Sequence, residues 1–350
     1  MTNASLQHVE PMPIPVPPPF ARVARTVAGY GVATALMLIS PLLMVFAPAV
    51  LFYCAVRNGR RAAWAAGALA LVIAGLCMLF APSVGSKDPA QLNMAYASFL
   101  VVALSIAVPS IVVVPLVEKQ EKFGTVLAIA MVFSTIGLVL TEWIMRSAAG
   151  FSPYAAEIQE QSLILTQRIG DYHTAFAQAS YGKLYAWLFE QLPNVLAATL
   201  LLDIAIFFIL SLMMVGRLSA WRSFKTTPVA DSEIRRTYLF RNLALPDWLV
   251  VVFIAGGLTP LLSGLPQLIA ANALALMICL YVLQGLAIFR FMLVKAGAGY
   301  VGGAIGFFLL GMLCMTLVGF LMLALAGLFD AFFDFRHLKR KDDSHESHTD

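Results

Sequence analysis

Residues 94–116, MAYASFLVVALSIAVPSIVVVPL, and residues 124–145, GTVLAIAMVFSTIGLVLTEWIM, decide the fold class. Each stretch is long enough for a helix to cross ~30 Å of hydrocarbon, which takes about 20 apolar residues. The charged turn VEKQEKF, residues 117–123, stands between them. The pattern predicts two membrane-spanning helices joined by a short polar loop.

The composition of the whole chain agrees with this interpretation. Of its 350 residues, 60% are apolar and 12% are charged, whereas an ordinary soluble domain is about 45–50% apolar and about 25% charged. A water-soluble globule of this length cannot bury so much apolar surface, which excludes soluble enzymes, nucleic-acid-binding proteins and secreted scaffolds. We therefore predict an all-α polytopic bundle in contact with the lipid bilayer, with no nucleic-acid partner.

The remaining apolar runs set the organisation of the chain. We expect about 8–10 helical segments, some of them broken or re-entrant, because the first run is interrupted by Pro41 and Pro48 and the last is longer than one crossing needs. The predicted layout is a Pro-rich arm (1–27), one membrane domain (28–330) and a charged tail (331–350). The other predicted segments are 28–39, 42–56, 62–81, 193–215, 246–263, 267–294 and 299–329, the last as a broken pair of short helices.

Basic residues predict the orientation, because Lys and Arg concentrate on the cytoplasmic side of a membrane. With the Arg57, Arg60 and Arg61 turn in the cytoplasm, a basic loop at 216–245 and both termini also lie there. Residues 147–192 then lie outside as an insert of two amphipathic helices. We expect a multi-pass protein of the bacterial inner membrane.

Motifs for catalysis and cofactor binding are missing. The chain has no GxSxG, HExxH or GxxxxGK[ST] pattern, and none of its five histidines falls in a predicted span. We therefore expect no catalytic residues, no metal site, no cofactor and no enzymatic activity. Without an ATP site, active transport would need a partner ATPase or an ion gradient.

Polar residues inside apolar spans are the best pointers to function, because burying an ionisable group in hydrocarbon costs about 2.5–3.5 kcal/mol on insertion scales. Asp203 lies near mid-membrane in its predicted span, and Asn272 lies in the same outer half. Pro109 breaks a third span, and broken helices often border transporter sites. We predict that Asp203, Asn272 and Pro109 bind a substrate, with two alternatives open: a neutral, hydrogen-bonded Asp203, and an Asn272 that merely links helices.

Small residues four positions apart mark candidate helix contacts. The pairs are Gly29/Ala33 and Gly31/Ala35 on the first helix, and Gly302/Gly306 on the last. Packing inside the bundle and docking of a partner subunit are both compatible with this spacing.

The C-terminal third resembles a known family. The motifs are Leu-Pro before Trp248, Leu-Tyr-x-x-Gln-Gly-Leu-Ala from Leu280, and Gly-Leu-x-Asp-x-x-x-Asp-Phe-Arg ending at Arg336, with Asn272 between the first two. They are similar to the YybS-like bacterial membrane proteins, a domain of unknown function grouped with substrate-binding subunits of energy-coupling-factor transporters. The resemblance implies a pocket in the outer half and docking, near Gly29/Ala33, onto a transmembrane coupling subunit. It also implies that Arg336 meets anionic lipid headgroups at the inner interface.

Two functions follow from the sequence. The first is capture or transport of a small metabolite in an outward pocket lined by Asp203 and Asn272. The alternative is a non-transporting scaffold or regulator that recruits cytoplasmic partners through its arm, basic loop and tail.

Overall fold

The protein is a helical bundle. The structure, a computed structural model, describes residues 19–85, 89–150, 152–155, 195–223, 237–314, 316–333 and 335–336. Across these ranges the regular structure is helical without a strand, which confirms the predicted all-α class. The α-helices are α1 Pro19–Ile39, α2 Ala47–Asn58, α3 Arg60–Gly85, α4 Pro89–Val102, α5 Val108–Glu118, α6 Phe123–Ala149, α7 Leu196–Ser223, α8 Leu249–Gly257, α9 Leu265–Lys295, α10 Tyr300–Cys314 and α11 Leu317–Phe333.

Five helices of the described chain have the length and apolar composition to cross a membrane. They are Arg60–Met78, Leu92–Glu118, Phe123–Ala149, Ala197–Leu218 and Leu265–Lys295. The second of these is one continuous rod, in which α4 passes through a π-helical turn, Ala103–Ala107, into α5. The protein is therefore a multi-pass membrane protein in contact with lipid. The arm up to residue 18, most of the external insert (156–194) and the tail from residue 337 lie outside the described residues.

The first apolar run is broken as the prolines predict. α1 ends at Ile39, a short 3₁₀ turn follows at Met44–Phe46, and α2 returns in the opposite direction with Pro48 in its first turn. Pro41 cannot donate a backbone hydrogen bond, so the helix cannot continue through it. We call α1, the turn at 40–46 and α2 the broken hairpin.

The broken hairpin packs against a longer helix. Gly31 of α1 lies against Ala66 and Leu69 of α3, while Leu38, seven residues further along α1, shares a cavity with Ala74 of α3. The two helices therefore run parallel in direct contact, and α2 runs antiparallel to both. α2 has 12 residues and α3 has 26, or about 18 Å and 39 Å at 1.5 Å per residue. Consequently α3 continues well past the turn of the broken hairpin.

The second half of the bundle is built by hairpins of α6 to α11, and it corrects one predicted span. Residues 246–263 do not form a helix of spanning length, because α8 has only nine residues and ends at Gly257. Glycine is unfavourable in a helix interior, and Pro260 lacks the N–H that a continuing helix would need. In contrast, the predicted break in the last run is confirmed, since α10 and α11 are separate short helices.

The structure describes only the two ends of the predicted basic loop at 216–245. α7 continues to Ser223, and residues 224–236 lie outside the described residues. The following stretch packs into the bundle, with Tyr238, Leu243 and Leu245 all buried. Apolar side chains in this stretch explain why it leaves the water and joins the core.

Candidate functional site

Asn272 forms a link between two helices. Its Oδ1 accepts a hydrogen bond from the backbone N–H of Ala198, in the first turn of α7, at 2.9 Å. Its Nδ2 donates to the carbonyl of Leu268, one turn back on α9, at 2.9 Å. The first N–H groups of a helix have no partner within the helix. Asn272 therefore caps α7 from a neighbouring helix, and its amide is occupied at both ends.

Pro109 creates a free carbonyl that the bundle then satisfies. In a regular α-helix an N–H at position 109 would bond the carbonyl of Ser105, four residues earlier, but proline has no N–H. The preceding turn is π-helical, with the Val108 N–H bonded to the carbonyl of Ala103. The hydroxyl of Ser134, on α6, lies 2.7 Å from that Ser105 carbonyl and 2.9 Å from the Ala130 carbonyl of its own helix, so these two acceptors share its one proton. Pro109 itself is buried. The helix is thus continuous through Pro109, so the break predicted there does not occur.

A second proline in the same rod repeats this arrangement. Pro115 removes the donor for the carbonyl of Ile111, and the indole N–H of Trp64 on α3 donates to that carbonyl at 3.0 Å. Both carbonyls freed by proline are therefore bonded by side chains of flanking helices.

Asp203 lies on the outer surface of the bundle. Its side chain is exposed, because the opposite face of α7 is the one that packs into the core. Within the described residues its carboxylate has no hydrogen bond or ion pair. The buried residues of that opposite face include Leu201, Ile204, Ala205, Phe208 and Leu212. The structure does not bring Asp203, Asn272 and Pro109 together around one cavity.

The two small-residue pairs on α1 have different surroundings. A Cβ at Gly31 would lie 2.8 Å from Leu69, and Ala35 is fully buried, so this pair packs α1 onto α3. Gly29 is exposed, and a Cβ there would meet nothing within 4 Å, while Ala33 is half-buried. Close packing inside the bundle therefore describes Gly31 and Ala35 and not the pair Gly29 and Ala33. Docking of a partner subunit at Gly29 and Ala33 stays a prediction.

The two small residues on α10, Gly302 and Gly306, have different surroundings. A Cβ at Gly306 would meet Leu293 of α9 at 3.1 Å, so Gly306 lies in a helix contact within the bundle. Gly302, one turn earlier, is exposed. The described chain therefore uses only one residue of this pair for packing, and it leaves the surface at Gly302 uncovered.

A cavity that the sequence analysis did not assign lies beyond the turn of the broken hairpin. Because α3 and α4 continue past that turn, they enclose about 230 Å³ next to the end of α1. We call this cavity the hairpin recess. Its lining is Leu38, Ile39, Pro41 and Met44 from the broken hairpin, Leu71, Ala74 and Met78 from α3, and Ser98, Phe99, Val102 and Ala103 from the α4 rod.

The hairpin recess is apolar with a few polar atoms at one end. Pro41 has no N–H, and the N–H of Leu43 is turned to the carbonyl of Ser40 at 3.1 Å. The carbonyl of Ile39, a residue that lines the recess, therefore lacks the donor that a continuing helix would supply. Helix carbonyls point toward the C-terminal end, which is where the recess lies. The recess thus offers a hydrogen-bond acceptor and the negative end of a helix dipole.

The floor of the hairpin recess is held in place from α7. The hydroxyl of Ser211 donates to the carbonyl of Val45, inside the turn at 40–46, at 2.9 Å. Ser211 is fully buried. This hydrogen bond joins the turn to the core of the bundle, so the recess has a fixed base.

A larger groove, of about 460 Å³, lies between α8 and α9. Half of its lining residues, including Val251, Ala255 and Ile269, are exposed at the surface of the bundle. It offers no polar side chain that could orient a ligand. We therefore regard the hairpin recess as the better candidate site.

Comparison with known proteins identifies the family. A family model described as "Predicted membrane protein (DUF2232)" matches residues 31–331. The chain belongs to this family. Membership in DUF2232 is consistent with the resemblance to YybS-like proteins. No curated protein and no solved structure matches the chain.

The C-terminal motifs of this DUF2232 protein meet in a buried polar cluster that the sequence analysis did not assemble. Gln284 on α9, Asp330 on α11 and Arg336 are 1%, 5% and 3% exposed. Gln284 Nε2 donates to Asp330 Oδ2 at 3.1 Å, and Gln284 Oε1 accepts from the N–H of Leu245 at 3.0 Å. We call these three side chains the C-terminal cluster.

The position of Arg336 corrects the expectation that it meets lipid headgroups. Its Nη1 donates to the carbonyls of Arg241 and Leu243, each at 2.9 Å, and its Nε and Nη2 donate to Asp330. A planar guanidinium with five donors suits such a site. Arg336 therefore ties the stretch before α8 to the end of α11. The sequence signal was the run of polar residues in otherwise apolar motifs.

Glycine allows the two helices of this cluster to approach closely. A Cβ added at Gly285 would overlap the backbone carbonyl of Leu323, and one at Gly327 would overlap that of Tyr281. Both positions therefore require the absence of a side chain. The antiparallel contact of α9 and α11 brings Gln284 within reach of Asp330.

Proposed function

We propose that this DUF2232 protein binds a small, largely apolar molecule in the hairpin recess. One observation carries the proposal: the broken hairpin stops beside the longer α3 and α4 and leaves a partly open cavity of about 230 Å³, lined mainly by apolar side chains. Ligand sites in proteins are concave and mostly apolar, with few polar groups. The proposal assigns binding rather than catalysis.

The chemistry of the recess restricts the ligand. Its volume is below the roughly 300–1,000 Å³ of pockets for drug-sized molecules, so the bound group is compact. The carbonyl of Ile39 is an acceptor at the recess, which favours a hydroxyl or amine donor on the ligand. The negative end of the α1 dipole disfavours an anion. A small cyclic alcohol or amine meets these requirements.

The distribution of basic residues is compatible with the role of a substrate-binding subunit. If the Arg57, Arg60 and Arg61 turn is cytoplasmic, the hairpin recess lies in the outer half of the inner membrane. There it would receive a ligand from outside and pass it to a separate transmembrane coupling subunit. Asp203, Asn272 and Pro109 are not part of this site, because Asn272 and the carbonyl freed by Pro109 already have partners and Asp203 faces outward.

Photoaffinity labelling tests the proposal directly. The probe is a diazirine-bearing cyclohexyl alcohol, compared with the same hydrocarbon without the hydroxyl, on protein in lipid nanodiscs. We expect saturable labelling of the α3 and α4 residues that line the recess, and at least tenfold weaker labelling by the hydrocarbon.

Variants that fill the cavity separate a site from simple partition into lipid. Ala103→Leu and Ala74→Leu place extra methyl groups in the recess, whereas Val72→Phe adds comparable bulk on an exposed face of α3. We expect the first two to abolish labelling and Val72→Phe to leave it unchanged. Labelling confined to lipid-facing residues, or unaffected by the filling variants, contradicts the proposal.

A further inference from the structure

Asp203 occupies a costly position that nothing in the described chain relieves. It lies six residues after Ala197, the first residue of its candidate span, or about 9 Å along the helix. A short aspartate side chain cannot extend over that distance to water, as Lys and Arg can. Leu210, two turns further along α7, is 41% exposed on the same face. The exposed side of α7 is therefore a lipid-facing surface with one carboxyl group in it.

The described chain has no cation at that depth. Most of its lysines and arginines, including Lys119 and Arg146, lie near helix ends or in turns. Arg290 lies five residues before the end of α9. Because Asn272, early in α9, contacts the start of α7, Arg290 lies toward the membrane side opposite Asp203. A carboxyl group in hydrocarbon without a hydrogen-bond donor is strongly unfavourable. Asp203 is therefore uncovered within the described chain.

A second copy of the chain is an unsuitable partner for the Asp203 face of α7. A symmetric dimer in a membrane has its axis along the membrane normal, so each residue keeps its depth in both copies. The α7 faces of two copies would bring carboxyl against carboxyl, and the described residues offer no cation opposite them. Charge complementarity instead favours a different protein.

We propose that the Asp203 face of α7 binds a transmembrane helix of another membrane protein that carries a Lys or Arg within its apolar span. Ion pairs and hydrogen bonds between helices are the usual reason for an ionisable group inside a membrane. This interface is independent of the hairpin recess, since Asp203 is not among the residues that line that cavity.

Site-specific photo-cross-linking in cells tests the interface. Benzoylphenylalanine replaces Leu210, on the Asp203 face, or Val139, which is 64% exposed on α6 and serves as the matched control. We expect position 210, but not position 139, to form one discrete cross-link to an integral membrane protein whose span contains a Lys or Arg. Asp203→Leu should reduce that cross-link at least tenfold.

A charge exchange then tests the pairing itself. Asp203→Lys should abolish the cross-link, and replacing the partner's basic residue with Asp should restore it. Both variants change an exposed side chain, and an unchanged melting temperature of each purified protein checks that the fold is intact. Cross-links from position 210 only to lipid or to a second copy, or a cross-link that persists in Asp203→Leu, would overturn the proposal.

Discussion

The amide of Gln284 donates to the carboxylate of Asp330 at 3.1 Å, across 46 positions of the sequence. The same carboxylate oxygen pairs with Arg336, whereas Asp330 Oδ1 has no partner in the described chain. One amide, one carboxylate and one guanidinium therefore fix the end of α11 against α9 in an apolar surrounding.

Removing the guanidinium of Arg336 should strongly destabilise the fold. Arg336→Ala leaves the carboxylate of Asp330 buried and unpaired, and such a loss costs about 3–5 kcal/mol. We expect a large fall in the melting temperature in detergent. The double variant Asp330→Ala with Arg336→Ala removes both charges and should be more stable than Arg336→Ala alone. A double variant no more stable than the single one contradicts the role assigned to the pair.

The closely packed glycines should tolerate no side chain. Gly285→Ala and Gly327→Ala each place a methyl group on the backbone of the facing helix, so α9 and α11 must separate. We expect both variants to lower the melting temperature. Gly311→Ala is the control, because a Cβ at Gly311 would meet nothing within 4 Å. Alanine is also more favourable than glycine in a helix by about 1 kcal/mol, so this variant should not lower the melting temperature. Equal effects at all three positions would count against close packing.

The carbonyl freed by Pro109 gives a conditional prediction. Ser134→Ala leaves the Ser105 carbonyl without a donor, which costs about 1–3 kcal/mol. Adding Pro109→Ala restores an N–H at position 109 and should recover part of that loss. Thr135→Ala is the control, because the Thr135 hydroxyl bonds only the carbonyl of Met131 in its own helix. Thermal unfolding of the four proteins in one detergent measures the difference.

Asn272 should affect the start of α7 locally. Asn272→Ala removes the acceptor for the Ala198 amide, and loss of an N-cap costs about 1 kcal/mol. Asn272→Asp retains an acceptor oxygen and should preserve the cap. Amide hydrogen exchange in the first turn of α7 is the measurement, and faster exchange is expected only for Asn272→Ala. Exchange in Asn272→Ala that is as slow as in the unchanged protein would show that the cap is unimportant.

The helices and their breaks could be predicted from sequence, whereas the contacts of the polar residues could not. Pro41 and the length of the last run indicate broken helices because proline lacks an N–H and a span has a fixed length. In lipid, however, both the core and the surface of a bundle are apolar. The sequence of α7 therefore carries no periodic signal for the side that faces inward, and the outward position of Asp203 could not be inferred.

The small-residue spacing on α1 had the same weakness. Gly29 with Ala33 and Gly31 with Ala35 share one spacing on one helix, yet only the second pair packs closely onto α3. Spacing marks where a neighbour can approach, but the rotation of the helix in the bundle decides which pair it meets.

The hairpin recess and the C-terminal cluster were beyond sequence reasoning for a related reason. The recess exists because α3 and α4 extend further than the broken hairpin beside them. Which helices become neighbours is decided by the packing of the bundle. The C-terminal cluster joins Leu245, Gln284 and Arg336, which stand in three separate motifs. The polar side chains of Gln284 and Arg336 were visible in the sequence. Only the packing of α9 against α11 shows that they and the backbone N–H of Leu245 share one set of hydrogen bonds.

The broken hairpin also has a consequence for biogenesis. Because α2 returns toward the level at which α1 begins, the two together add no net crossing, and α3 starts on the side where α1 started. Deleting the pair would leave the orientation of every later helix unchanged. Insertion of the later helices can thus proceed with correct sidedness even before this pair has settled into the membrane.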